Sequence, residues 1–263
     1  MTARFATIAM LGVLLCVAHA LGAQHLEYAA GTTKYRVSTT TKGSQTTPIG
    51  NSDFELGLRQ QITLNLARQS KDTLLATITL DSIALSGAPA TADVSSLMGA
   101  KFTSLVSPTG RVYSTKAPAG ANPLVSQIAE AITRFLPSYH GDLKPGLAWS
   151  DTTSGKMNQQ GMDVDRTMVS NFTVEGDTMI GGVKAYKVAR VSSVKAAGSG
   201  TSQGVPVSME SSSTSNGTFF LSDSGVFLGA TSDDDMNLKL KILAQGAEIS
   251  MKQSARTKIE PIP

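Results

Sequence analysis

Along most of the chain, apolar and polar residues alternate with a period of two. "TKYRVSTTTKG" puts Tyr35, Val37 and Thr39 on one side and Lys34, Arg36 and Ser38 on the other. "RQQITLNLARQS" sets Ile62, Leu64 and Leu66 against Gln61, Thr63 and Asn65, and "DTLLATITLDSIAL" continues with Leu74, Ala76, Ile78 and Leu80. Successive side chains of a strand point to opposite faces, so this alternation predicts half-buried strands. One wet face fits antiparallel pairing better than parallel pairing, which buries both sides.

Further runs of the same kind are "SLVSPTGRVYST", "NFTVEGDTMIGGVKAYKVARVSS", "PVSMESSSTSNGTFFLSDSGVFLGATS", "NLKLKIL" and "EISMKQSARTKIEP". Turn chemistry divides them at Ser107-Pro108-Thr109-Gly110, Gly181-Gly182, Asn216-Gly217 and Ser222-Asp223-Ser224-Gly225. Glycine supplies the positive φ that tight turns require, and Asn-Gly is a strong hairpin signal. The fold class predicted is mainly β: a curved antiparallel meander of about nine to eleven strands, closed as a barrel or open as a half-barrel. "LVSPTGRVY" (105–113) also resembles "FLSDSGVFL" (220–228). Either the two halves are related copies of one meander or hairpins have reused a Ser-x-x-Gly turn.

One segment has a different period. "NPLVSQIAEAITRFLP" places Asn122 to cap a helix, Pro123 at its first position and Pro137 at its stop. Leu124, Ile128, Ile132 and Phe135 then form one apolar stripe, which must be covered. The sheet's concave face is the economical partner, giving one amphipathic helix packed on the sheet. "AAGSGTSQG" (196–204) is too small and polar to build a core and predicts a flexible Gly/Ser loop.

The amino terminus has the layout of a cleaved secretory signal over residues 1–23: Arg4, an apolar stretch from Phe5 to Ala20, then small residues. That run is short of the roughly 20 apolar residues that cross a bilayer. A single β-rich domain over 24–263 is expected, exported to the periplasm or the exterior. The one cysteine, Cys16, leaves with the signal, so the mature chain has no disulfide and no thiolate chemistry. Without Arg4, 22 basic residues face 20 acidic ones. They are scattered, which gives no footprint for nucleic acid. No later segment is apolar enough for a transmembrane anchor.

Candidate chemistry is thin. "GTSQG" (200–204) matches Gly-x-Ser-x-Gly, but that nucleophile works on a strand-to-helix turn with a histidine further along, and none follows His140. Asp233, Asp234 and Asp235 would alternate between faces if they lay in a strand, so they read as a solvated turn rather than a cation site. Asp163 and Asp165 share one face, with solubility as the default role. His140 and Asp142 lie among breakers between Pro137 and Pro145, a poor support for a base and its orienter. "KPGLAWSDT" reads instead as a turn followed by a strand that carries Trp149 into the core. No catalytic, cofactor or metal residue is therefore expected, and the protein reads as no enzyme.

"LPSYHGDLKPGLAWSDT", with its Lys-Pro-Gly-x-x-Trp signature, resembles exported bacterial proteins of the DUF6263-like group, and "GGVKAYKV" and "LSDSGVFLGATSD" look like that group's strand pairs. In outline these are similar to the LolA/LolB-like half-barrels, in which helix covers a curved sheet. The resemblance implies a bacterial cell envelope and an apolar cavity, and it carries over no catalytic residue. The single helix expected here is fewer than carriers use. The leading reading is a non-enzymatic envelope protein that binds a lipid or other apolar ligand. Its candidate lining is Leu124, Ile128, Ile132, Phe135 and Trp149, which would serve equally as core. The alternative is a structural module that docks another envelope protein.

Overall fold

The computed structural model describes residues 25–87, 94, 97–116, 131–132, 135–159, 162–202 and 204–263. The strands are β1 (Gly31–Thr47), β2 (Gly50–Arg68), β3 (Leu74–Ser86), β4 (Lys101–Val106), β5 (Val112–Lys116), β6 (Ala148–Gln159), β7 (Met162–Ile180), β8 (Val183–Ser202), β9 (Val205–Ser222), β10 (Phe227–Ile242) and β11 (Ala247–Ile262). All pair antiparallel in one sheet, in the order β5-β4-β3-β2-β1-β11-β10-β9-β8-β7-β6. Two meanders, β1–β5 and β6–β11, are thus joined through the first and last strands. β5 and β6 are the edges, so the sheet is open rather than a closed barrel.

Several turns fall where the sequence places them. Gly181 and Gly182 have φ of 55° and 82°, a pair of left-handed residues that closes the β7–β8 hairpin. The two echoed turns are built alike. Gly110 N–H donates to Ser107 O and Gly225 N–H to Ser222 O, both at 3.0 Å. The side-chain oxygens of Ser107 and Ser222 accept from Arg111 N–H at 2.9 Å and Val226 N–H at 2.8 Å. Both turns also receive the same segment: Tyr28 N–H donates to Pro108 O at 2.7 Å and Ala29 N–H to Gly225 O at 3.0 Å.

Three expectations are corrected. Residues 196–202 of the 196–204 segment expected as a flexible loop are the end of β8, paired residue by residue with β9 and, as far as Gly200, with β7. Asn216-Gly217 is no turn but the interior of β9, where Gly217 pairs with Arg190 and Ser232. Asp233, Asp234 and Asp235 lie in β10 rather than in a turn. The reason is common to all three. Neighbours on both sides supply a complete backbone ladder, and that outweighs turn preferences worth about 1 kcal/mol.

The expected helix falls almost wholly outside the described residues, Leu124 and Ile128 included. Within it, Ala131 and Ile132 are helical, and Phe135 and Leu136 are buried. The amphipathic helix therefore stands as an expectation.

The core lies on one face at one end of the strands. Tyr35, Leu64, Leu74, Leu80, Phe102, Val174, Val188 and Leu221 are all no more than 3% exposed there. Register shifts at Gln61/Ile62, Val174/Gly176 and Phe227/Gly229 fall beside this core, where bulges bend a strand and add twist. Two segments lie over it, carrying Leu26 and Tyr28 from residues 25–30 and Phe135, Leu136, Tyr139 and Leu143 from 135–147. The Tyr28 hydroxyl donates to Pro137 O and the Tyr35 hydroxyl to Phe227 O, each at 2.8 Å. Phe135 packs edge-on against both Tyr35 and Phe227, with ring centroids 5.2 and 5.5 Å away.

Candidate functional site

Beyond the core, the same strand face continues with different residues. On β8 and β9, in the middle of the second meander, the positions that continue the core face are Ser192, Val194, Ala196 and Gly198, and Ser211, Ser213 and Ser215. On the flanking strands they are Val164, Arg166 and Met168 of β7 and Met236, Leu238 and Leu240 of β10. The pairing aligns them in rows: Met168, Val194, Ser213, Met236; then Arg166, Ala196, Ser211, Leu238; then Val164, Gly198, Met209, Leu240. Mostly small residues make the floor, and longer side chains, apolar except for Arg166, make the walls of a groove along β8 and β9.

Exposure shows that this face is recessed. In β10 and β11 the alternation runs half-buried, exposed, half-buried, with the lysines and arginines on the exposed side. A flat sheet with both faces open would leave the two sets equally wet. At the far end the groove is closed by a small cluster in which Met162, Val164 and Val207 are buried against Ala196, Met209 and Leu240.

Where the groove meets the core the face turns polar. The Ser170 and Ser192 hydroxyls are 2.8 Å apart, and Ser232 Oγ donates to Asp234 Oδ2 at 2.9 Å. Ser215 Oγ is buried with no hydrogen-bond partner among the described residues. Arg190 stands in the next row, between Phe172 and Gly217. Burial holds its guanidinium below the usual arginine pKa, and Asp234 acts in the opposite direction. Arg190 also lines a cavity of about 70 Å³, together with Phe135, Phe219, Ser232, Thr257 and Ile259. A second cavity, about 190 Å³, lies between Ala29–Thr33 and Tyr35, Leu64 and Phe227, and no charged side chain lines it.

Of the lining predicted from sequence, the structure places Phe135 in the core and packs Ile132 and Trp149 against it. Trp149 stacks on Phe172 at 4.9 Å with the rings 8° from parallel, and its Nε1 is buried without a partner among the described residues. His140 meets the Trp149 ring edge-on at 5.3 Å, whereas Asp142 faces His25 Nδ1 at 3.4 Å. The base and orienter considered above therefore have different neighbours. Asp233 pairs with Arg256 at 2.7 Å on the outer face, while Asp234 points inward. No group of three or more histidine, cysteine or acidic side chains placed to hold a metal occurs among the described residues. Sequence reasoning missed Arg190 and the groove. The signal available was the change from Leu, Ile and Phe to Ser and Gly at the inward positions of one continuous alternation.

No family model matches the chain, so membership of the DUF6263-like group is not shown, and no curated protein matches it. Among solved structures it is similar to a DUF1329 family protein from Desulfovibrio piger ATCC 29098, at 8% identity over 83% of each chain and a TM-score of 0.20. It is similar to a putative outer membrane lipoprotein-sorting protein domain from Vibrio parahaemolyticus, at 10% identity over 87% of this chain and 83% of that one, with a TM-score of 0.19. A putative AttH from Nitrosomonas europaea matches at 8% identity over 87% and 92%, with a TM-score of 0.23. At these scores the superpositions carry no functional argument, and the reading below rests on the chain itself.

Proposed function

We propose that this chain is an exported, non-enzymatic protein of the cell envelope that holds a lipid or other apolar molecule in the groove along β8 and β9. One observation carries the reading. The walls of the groove are methionine, leucine and valine with one arginine, Arg166, its floor is mostly serine, alanine and glycine with Val194, and most of its inward side chains are only half-buried. Methionine adapts to irregular apolar shapes, which suits a surface that must accept a flexible chain. Each methylene removed from water contributes about 0.8 kcal/mol, so a ligand of a dozen carbons gains enough to offset its own ordering. Export rests on the amino-terminal pattern of Arg4, the apolar run to Ala20 and the small residues after it. A docking module for another envelope protein is the alternative, supported by the two open sheet edges at β5 and β6.

Native mass spectrometry of the mature protein from its own secretory compartment, followed by organic extraction, tests this directly. A stoichiometric apolar adduct is expected, and it should disappear in Ser213→Phe, which fills the floor. A bare polypeptide mass with an empty extract overturns the reading in favour of docking.

A further inference from the structure

The groove has chemically different ends, and the difference bears on what fills it. Its far end is apolar and closed by Met162, Val164 and Val207. Its near end holds a cation, Arg190, beside a cavity of about 70 Å³. The residue paired with Arg190 on β9 is Gly217, packed closely on β10: a Cβ there would lie 2.7 Å from Thr231 O. Among the described residues, Arg190 has no carboxylate within ion-pair distance. The charge acting on it, Asp234, is two strands away and one row further along. Two strand spacings are about 10 Å, and Asp234 already accepts the Ser232 hydroxyl. Ser215 adds a buried hydroxyl without a partner at the same end. A half-buried guanidinium with unused donors, close to an unpaired hydroxyl, is built to receive an anion.

Dimensions narrow the class. A cavity of about 70 Å³ has room for a group as small as a carboxylate. From Arg190 to Ala196, where the closing cluster begins, are six residues, or about 20 Å of strand. An acyl chain spanning half of a 30 Å hydrocarbon core extends about 15 Å. One such chain fits the run lengthwise. The floor is two strands wide, between the walls on β7 and β10, and leaves no second lane.

Resting on the apolar-ligand reading above, we propose that the occupant is a single-chain amphiphile with a carboxylate head, its head at Arg190 and its chain running along β8 and β9 toward Met209. The guanidinium donates to the carboxylate and Ser215 supplies a further donor. The walls of Met168, Met236 and Leu238 close on the chain. The class of ligand is that of a free fatty acid.

The test uses the full mature chain and two probes that differ only in the head, palmitate and hexadecanol, with affinities measured by displacement of a fluorescent fatty acid. Palmitate should bind one to one and at least tenfold more tightly than hexadecanol. Arg190→Gln should bring palmitate down to the affinity of hexadecanol and leave hexadecanol unchanged, which a merely structural arginine would not do. The comparison of the two probes on the unaltered protein keeps the test decisive should that variant fold poorly. Equal binding of the two probes overturns the carboxylate site while the apolar groove stands. Binding of neither probe overturns both.

Discussion

At the Tyr35 end of the sheet the inward side chains are almost completely buried, with Tyr35 at 1%, Leu221 at 0% and Val188 at 0% exposure. At the Met236 end, inward side chains such as Val194, Ser213, Met236 and Leu238 are only half-buried, short of the small closing cluster. Both ends belong to the same strands and the same sheet, with register shifts only beside the core. What differs is the size of the inward residues and what lies over them. Tyrosine, phenylalanine and branched aliphatics meet two covering segments at one end. Serine, glycine and methionine face inward at the other, and no cover lies over them among the described residues. Alternation decides which side a residue faces, while volume and cover decide whether it is buried. A binding surface can therefore continue directly from a core without any break in secondary structure.

The largest expected effect comes from truncating one leucine in each region. Leu221→Ala removes a fully buried side chain and should cost about 3 kcal/mol in urea unfolding. Leu238→Ala, half-buried in the groove wall, should cost about 1 kcal/mol or less while reducing apolar-ligand loading. Equal costs would show that the groove is simply more core.

Next in size is a pH effect confined to the packed end. Burial pushes the Tyr35 hydroxyl up to about 12, with Thr33 acting weakly the other way, and burial raises Tyr28 and Tyr139 in the same direction. In the unfolded chain tyrosine titrates near 10. Between about pH 10 and 12 the folded state therefore keeps protons that the unfolded state has released. The stabilisation is complete below about pH 10 and falls as pH rises, by about 2–3 kcal/mol for Tyr35 alone. Urea midpoints measured from pH 9 upward should drop, and Tyr35→Phe should flatten the drop. An unchanged slope in that variant would remove Tyr35 as its source.

The smallest effect separates two neighbouring hydroxyls in the covering segments. Tyr28 donates to Pro137 O, whereas Tyr139 Oη is buried without a partner among the described residues. Tyr28→Phe leaves a buried carbonyl unsatisfied and should cost about 1–2 kcal/mol. Tyr139→Phe removes only an unsatisfied group and should be neutral within about 0.5 kcal/mol or slightly stabilising. If Tyr139→Phe costs as much as Tyr28→Phe, the cover is held together differently.

Much of the fold was legible in the sequence because it rests on local rules. Period-two alternation marked the strands, and the inward set Tyr35, Val37, Ile62, Leu64, Leu66, Leu74, Ala76, Ile78 and Leu80 came out buried as read. Glycine pairs and Ser-x-x-Gly runs marked real turns where no neighbouring strand could claim them. The same rules failed at Asn216-Gly217, at 196–202 and at Asp233–Asp235, all in strands and, apart from Thr201 and Ser202, paired on both sides. There the ladder is made by residues distant in sequence, and local propensity gives no account of them. Of the candidate site, sequence placed Phe135 and Trp149 near the core but did not find Arg190.

By itself, then, the sequence determined the class of fold, the face each strand residue takes and the turns whose backbone only glycine tolerates, because these depend on a few neighbouring residues. Only the tertiary structure decided that β1 pairs with β11, that Arg190 and Phe135 line one cavity and that Ser213 of β9 lies in a row between Met168 and Met236. Those facts depend on strand order and register, which bring together residues far apart along the chain.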